Sequence, residues 1–327
     1  MINSQLKKIA VFTSGGDSPG MNACIRAVVR TAIYNDLDVW GIEQGYKGMI
    51  EGNFRQLKSS SVGNIMQKGG TILHSARCQE FRTKEGRKKA YDNLIKMGIQ
   101  GLIAIGGDGT FKGAEIFTKE YNIPFIGCPG TIDNDLYGTD FTIGYDTAIN
   151  TAMRAIDNIK DTAQAHNRLF FIEVMGRDAG FIALRSGIAT GAEAVLIPEK
   201  KTNIEALIST LERLHKLKNS SSIVIVAEGD DEGGAFEIAR KVGEKFKEHE
   251  IKVSVLGHIQ RGGSPSCMDR VLASKLGLEA TKALITGKRG KMVGQVNSKI
   301  VFTDFQRTTK HNLTINPSLL EMIEVLV

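Results

Sequence analysis

The chain repeats one pattern: a short apolar run, a glycine-rich polar turn, then a stretch whose apolar positions recur at helical spacing. KKIAVFTSGGDSPGMNACIRAVVRTAIY (7–34) is the first unit, and GLIAIGGDGTFKGAEIFTKEY (101–121) the second. IPFIGCPGTIDND (123–135) and RLFFIEVMGRDAGFIALRSGIA (168–189) follow. SSIVIVAEGDDEGGAFEIARKVGEKF (221–246) and IKVSVLGHIQRGGSPSCMDRVLASKLGLEATKALI (251–285) close the series. A helical stretch at 146–166 starts about ten residues after TIDND. Strands of about five residues alternating with helices predict parallel sheets with helices on both faces. The recurrence predicts an α/β protein with two doubly wound three-layer α/β/α lobes and mainly parallel sheets. The first lobe is expected over 1–143 plus 259–306, the second over 144–258 plus 307–327, with the first crossing near residue 144. No low-complexity stretch or short-period repeat interrupts the pattern.

Ligands of open parallel sheets bind beyond the carboxyl ends of the strands. The polar residues directly after each apolar run are therefore the candidates. They are TSGGD (13–17), GGDGT (106–110), TIDND (131–135), MGRDAG (175–180), Glu228 and HIQRGG (258–263).

Composition narrows the class. The 327 residues are 42% apolar and 24% charged, which is the balance of a soluble globular protein long enough for two domains. Thirty-six glycines against six prolines suit many tight strand-to-helix turns. No apolar run approaches the roughly 18 residues of a membrane span. The start, MINSQLKKIAVFTSGG, carries no cleavage-site pattern, so a cytoplasmic protein with no membrane partner is expected. Cys24, Cys78, Cys128 and Cys267 are isolated and read as reduced thiols, neither a metal site nor a disulfide framework. The net charge of +6 fits a nucleic-acid partner or phosphorylated small molecules. The basic clusters KEGRKK (84–89) and GKRGK (287–291) are short and carry no interleaved aromatics, so no nucleic-acid partner is expected.

Several turns suit phosphate chemistry. In TSGGDSPGMN, Gly15 and Gly16 let the backbone approach an anion and the following helix offers free N–H groups. A tight turn capped by Asp17 or Ser18 explains the same residues equally well. GGDGT is open enough for a phosphate chain. Asp108 at its tip suits Mg²⁺, which takes one or two carboxylates plus waters and phosphate oxygens, or it is a plain turn aspartate. Arg77 and Arg177 follow apolar runs, where fixed positive charge serves phosphoryl transfer. PGTIDND sets two carboxylates, Asp133 and Asp135, on a Pro-Gly turn with no Lys or Arg inside it: a capped loop or a catalytic base.

TSGGDSPGMN, GGTILHSAR, GGDGT, PGTIDND, EVMGRDAG and VLGHIQRGGSP, in this order and spacing, resemble the bacterial ATP-dependent 6-phosphofructokinases over nearly the whole chain. The resemblance implies transfer of the γ-phosphoryl of MgATP to the 1-hydroxyl of fructose 6-phosphate. It implies that Asp133 is the general base and that Thr131 helps hold the transferring phosphoryl, with Asp135 a nearby second acid. Arg77 and Arg177 would stabilise its charge, and Asp108 would serve Mg²⁺. Gly16, Arg77, Cys78, Gly107, Asp108, Gly109 and Thr110 would line the nucleotide. Thr131, Asp133, Met175, Gly176, Arg177, Glu228, His258 and Arg261 would meet the sugar phosphate. Arg168 and Lys252 would reach it from a neighbouring subunit, in a homotetramer with active sites at subunit interfaces.

The resemblance also speaks to donor and regulation. Pyrophosphate-using relatives have Asp in place of Gly109 and Lys in place of Gly130, so two glycines favour ATP. Lys252 stands where the family has arginine and loses the bidentate fork. An effector site for ADP or phosphoenolpyruvate at a subunit interface would use Arg26, Arg30, Lys160, Gly191 and Glu193. There an expected arginine falls on Ser59 and another on Lys160, while expected lysines fall on Leu217 and Asn219, with Lys216 and Lys218 only adjacent. Each lost charge-assisted bond removes roughly 1.5–3 kcal/mol, so blunted effector control is expected. The alternatives are a pyrophosphate-dependent or other sugar-phosphate kinase of this fold, and a non-catalytic nucleotide-binding regulatory subunit. A catalytically dead chain would be expected to lose Asp133, Asp108 or an arginine, and all are present.

Overall fold

A computed structural model describes residues 6–166, 168–216, 223–308 and 315–326 of the chain. In chain order the first elements are β1 (Lys8–Ser14), α1 (Met21–Tyr34), β2 (Asp38–Ile42), α2 (Gly45–Glu51), β3 (Phe54–Gln56), α3 (Lys84–Lys96), β4 (Gly101–Gly106), α4 (Asp108–Tyr121) and β5 (Phe125–Pro129). Next come α5 (Tyr145–His166), β6 (Arg168–Val174), α6 (Phe181–Thr190), β7 (Ala194–Leu196), α7 (Ile204–Lys216), β8 (Ile223–Ala227), α8 (Ala235–Lys245) and β9 (Glu250–Val255). The last are α9 (Cys267–Ile285), β10 (Lys291–Val296), β11 (Lys299–Asp304), α10 (Phe305–Thr308) and α11 (Pro317–Leu326).

The chain divides into two compact units. Met1–Ile132, Leu136–Thr147 and Arg261–Asn312 form the first, and Asp133–Asp135, Ala148–Gln260 and Leu313–Val327 the second. Patterning put the first crossing near residue 144; apart from Asp133–Asp135, the first unit runs on to Thr147. The reason is a side chain from far along the chain. Asp269 of α9 accepts from the backbone N–H of Gly144 and of Thr147, each at 2.8 Å, and ties the start of α5 to the first unit.

The first unit is built on a seven-stranded sheet ordered β11-β10-β5-β4-β1-β2-β3. Its interior pairs are parallel; only β2–β3 and β10–β11, at the two edges, are antiparallel. Strand side chains alternate between faces with period two. Ile9 and Val11 of β1 and Ile103 and Ile105 of β4 therefore join the core with α1 and α9. Ala10, Phe12, Leu102 and Ala104 join the opposite core, with Tyr46 and Met49 of α2, Leu94 of α3 and Phe111 of α4. Each buried Ile or Val side chain contributes about 1.5–3 kcal/mol, which makes both faces obligatory. The short basic clusters are matched by partners. Arg87 holds Glu120 through Nε at 2.6 Å and Nη2 at 2.7 Å, Lys88 pairs with Asp92, and Lys89 meets Glu80 at 2.8 Å.

The second unit has a four-stranded, wholly parallel sheet ordered β7-β8-β6-β9. Leu207 and Leu211 of α7 and Ile238 and Val242 of α8 cover Leu169, Phe171, Val224 and Val226. The alternate residues Phe170, Ile172, Ile223 and Ile225 are buried as well, and α6 packs along β7 and β8. Among the described residues no helix is long and apolar enough to cross a membrane.

Candidate active site

In the first unit, three strand ends supply the candidate turns. After β1, Gly15 takes a φ of 89°, a left-handed conformation that glycine adopts without strain. The segment 72–75 is laced to this turn and the helix after it. Ser75 Oγ donates to Gly15 O at 2.5 Å, Thr13 Oγ1 donates to His74 O at 2.7 Å, and Asn22 Oδ1 accepts from Ile72 N at 2.8 Å. Arg77 and Cys78 follow this held stretch, Arg77 exposed and Cys78 half-buried. Arg261 Nη1 donates to Asp17 O at 3.3 Å, and a Cβ on Gly16 would meet the same nitrogen at 2.6 Å. The missing side chain at Gly16 thus leaves room for the Arg261 guanidinium.

After β4, Asp108 opens α4, where the helix dipole favours an anion. Its Oδ2 accepts from Lys112 Nζ at 2.6 Å, one helical turn on. Thr110 Oγ1 donates to Ser14 O at 3.1 Å and Tyr46 Oη donates to Thr110 O at 2.6 Å, so this turn is fixed to β1 and α2. A Cβ on Gly109 would meet nothing within 4 Å.

After β5, Gly130 N donates to Gly106 O at 2.9 Å, joining the second and third turns. A Cβ on Gly130 would meet Ile105 Cγ2 at 3.0 Å and Met21 Cε at 3.1 Å. That glycine therefore makes room for the protein's own core, and the donor argument rests on Gly109 alone. Thr142 Oγ1 donates to Thr131 O at 2.7 Å, and Ile143 N donates to Pro129 O at 2.8 Å. Asp133 and Asp135 are only 6% and 8% exposed. Acids that merely cap a surface loop stay in water, since burial penalises a charge. The boundary between the units falls inside TIDND, with Thr131 in the first and Asp133 and Asp135 in the second.

In the second unit the MGR turn after β6 is held by a carboxylate. Glu228 Oε1 accepts from Arg177 N at 2.6 Å and Gly176 N at 3.3 Å. Arg177 takes a φ of 59° there, unusual for a residue with a Cβ. Gln260, fully buried, accepts from Met175 N at 3.3 Å and donates to Gly257 O at 3.0 Å, so the GHIQ loop is tied to MGR. His258 is exposed beside it. Arg168 and Lys252 meet on one acid. Glu250 takes Arg168 Nε at 2.6 Å through Oε2 and Lys252 Nζ at 2.6 Å through Oε1. Hydrogen bonds from Lys252 and then Arg168 hold the Glu250 carboxyl below its ordinary value.

Strand-end glycine turns and a buried acid after the third strand are features that phosphoryl transfer uses. A family model described as Phosphofructokinase matches residues 8–284. The chain belongs to the phosphofructokinase family. It is 56% identical over 98% of both chains to the ATP-dependent 6-phosphofructokinase of Cytophaga hutchinsonii. It is 54% identical to the ATP-dependent 6-phosphofructokinase 1 of Thermus thermophilus, over 98% of this chain and 99% of that one. Among solved structures it is similar to phosphofructokinase from Saccharomyces cerevisiae, with a TM-score of 0.88 and 36% identity, covering 98% of this chain and 47% of that chain. It shares the fold of the pyrophosphate-dependent phosphofructokinase of Marinobacter aquaeolei, with a TM-score of 0.83 at 21% identity, over 98% of this chain and 92% of that one.

The expected effector residues of this phosphofructokinase family member divide between the units. Lys160 Nζ donates to Thr190 O at 2.7 Å beside Gly191, whose φ is 60°. Burial pushes the Glu193 carboxyl up to about 8, with Lys160 pulling the other way. Arg26 and Arg30 lie on α1 of the first unit, Arg30 exposed. Leu217, Lys218 and Asn219 lie outside the described residues. Sequence reasoning missed Gln260, Glu250, Asn22 and Thr142. Only Gln260 had a usable signal, its place inside HIQRGG.

Proposed function

We propose that this chain transfers the γ-phosphoryl of ATP to the 1-hydroxyl of fructose 6-phosphate, giving fructose 1,6-bisphosphate and ADP. The observation that carries the donor choice is Gly109, where a side chain would enter open space at the mouth of α4. Relatives named ATP-dependent, alike over the full length, support the same reading.

The Asp133 carboxylate takes the hydroxyl proton as the alkoxide oxygen forms its bond to phosphorus and the bond to the ADP oxygen breaks. Thr131 holds the transferring group, and Arg77 and Arg177 balance the charge on its oxygens. Gly16, Cys78, Gly107, Gly109 and Thr110 line the nucleotide. Met175, Gly176, Glu228, His258 and Arg261 receive the sugar phosphate; Glu228 does so while holding the MGR backbone, and Arg261 from its seat on Gly16 and Asp17.

Asp108 suits Mg²⁺: a single carboxylate at a helix N-terminus matches an ion that keeps its waters and binds phosphate oxygens. When bound, the ion neutralises phosphate charge; Asp108 then has to share its Oδ2 with Lys112 or release it. Arg168 and Lys252 act on a neighbouring subunit's sugar phosphate in a homotetramer, and the enzyme works in the cytoplasm. The test is formation of fructose 1,6-bisphosphate with Mg²⁺, with ATP and pyrophosphate assayed side by side. Turnover with ATP alone is expected; turnover with pyrophosphate overturns the argument from Gly109.

A further inference from the structure

The start of α5 and the start of α9 cap each other. Ser266 Oγ accepts from Asp269 N at 3.1 Å as the N-cap of α9, and donates to Asp146 Oδ2 at 2.5 Å. Asp269 returns the contact. Its Oδ1 accepts from Gly144 N at 2.8 Å, and its Oδ2 from Thr147 N at 2.8 Å and Thr147 Oγ1 at 2.5 Å. Thr147 Oγ1 in turn accepts from Ser266 N at 2.9 Å. Asp269 is 1% exposed and Thr147 5%, so water does not substitute for these bonds.

What lies between the two caps matters for the reaction. Thr142 and Ile143, directly before Gly144, hold Thr131 O and Pro129 O. Gly144 itself, at a φ of 103°, is pressed on the other phosphate turn: a Cβ there would meet Ser18 Cβ at 2.5 Å. A Cβ on Gly20 would meet Ile143 Cγ2 at 2.8 Å. The strip 142–147 is thus a spacer between the β1–α1 turn and the β5 turn, and its far end is fixed by one buried carboxylate.

We infer that Asp269 is a positioning residue for phosphoryl transfer, acting through the 142–147 strip on the backbone of Thr131. Asp269 touches no reacting atom. It sets the register of a strip that two phosphate-handling turns share. The inference rests on the reading of Thr131 as the holder of the transferring group, and that reading has its own test.

Asp269→Asn replaces one acceptor oxygen by an N–H that faces donors on both sides. Thr147→Val removes the hydroxyl with nearly the same shape, and Thr147→Ser restores it. With folded fraction fixed by circular dichroism, Asp269→Asn and Thr147→Val should lower kcat roughly tenfold to a hundredfold, the scale of a small misplacement. The KM values for ATP and fructose 6-phosphate should move far less, and Thr147→Ser should recover kcat. Because Asp269 acts through Thr142, the combination of Asp269→Asn with Thr142→Val should cost less than the product of the two single losses. A kcat within about twofold of wild type in the folded variants, or multiplicative losses in the double variant, overturns the inference. Thr131→Ala is run alongside. If it keeps full kcat, the reading of Thr131 fails; if it loses kcat while the Asp269 and Thr147 variants keep theirs, the inference alone fails.

Discussion

At the scale of a single residue the proposed chemistry rests on Asp133, a strand-end acid that the fold keeps almost wholly out of water. Asp133→Asn keeps shape and polarity and removes the proton acceptor. Turnover should fall by roughly a hundred- to ten-thousand-fold with sugar-phosphate binding largely kept; steady-state kinetics and equilibrium titration with fructose 6-phosphate decide it. A second residue-scale argument concerns Lys252. It shares Glu250 with Arg168, so a phosphate has to compete with a carboxylate for both cations. Lys252→Arg, with a bidentate fork, should tighten fructose 6-phosphate and leave kcat nearly unchanged. Glu250→Gln should tighten it as well, by freeing both arms. An unchanged saturation curve in both variants removes Lys252 and Arg168 from the sugar-phosphate site.

Elements show what was legible in the sequence and why the rest was not. The runs IAVF, LIAI and FIGC announced β1, β4 and β5, and the turns after them held the candidate residues, because strand period and turn chemistry are local properties. TIDND and GGDGT were read from residues a few positions apart. Asp269 was not read at all: it caps α5 from 122 residues away, and no local pattern records such a bond. Glu250 drew no notice in the sequence, because its partner Arg168 lies far along the chain and faces it only once β9 pairs with β6. Gly130 was less legible, since a missing side chain does not say whether ligand or core fills the space. The cap has a measurable consequence for α5. Burial raises the Asp269 carboxyl from 3.8 to about 6, against the pull of its hydrogen bonds from Thr147 and Gly144. Between those values the folded protein holds a proton that the unfolded chain has released. The associated stability is present below about pH 4 and lost as pH rises through about 6, on the order of 3 kcal/mol. Urea midpoints from pH 4 to 7 should therefore show wild type losing ground to Asp269→Asn as pH rises. Parallel curves would mean that Asp269 titrates normally.

Regulation belongs to the whole molecule, because the expected effector residues come from both units and the resemblance implies an effector site at a subunit interface. The charges available in this chain are few. Lys160 keeps its charge while giving one hydrogen bond to Thr190 O, and Ser59 offers no charge where an arginine is expected. Each missing charge-assisted bond to a multivalent anion removes roughly 1.5–3 kcal/mol, and two or three such losses outweigh a typical allosteric coupling of 1–3 kcal/mol. Fructose 6-phosphate saturation should therefore be little moved by ADP or phosphoenolpyruvate. Glu193 gives the residual effect a pH dependence. With its carboxyl pushed up to about 8 by burial, it is mostly neutral at pH 7 and becomes anionic as pH rises past that value, adding a negative charge near Lys160. Any ADP effect should then weaken between pH 7 and 9, and Glu193→Gln should flatten that trend. Saturation curves at both pH values, with and without each effector, test the argument. Sigmoidal kinetics relieved by ADP and deepened by phosphoenolpyruvate would show that the thinned cluster still binds its anion.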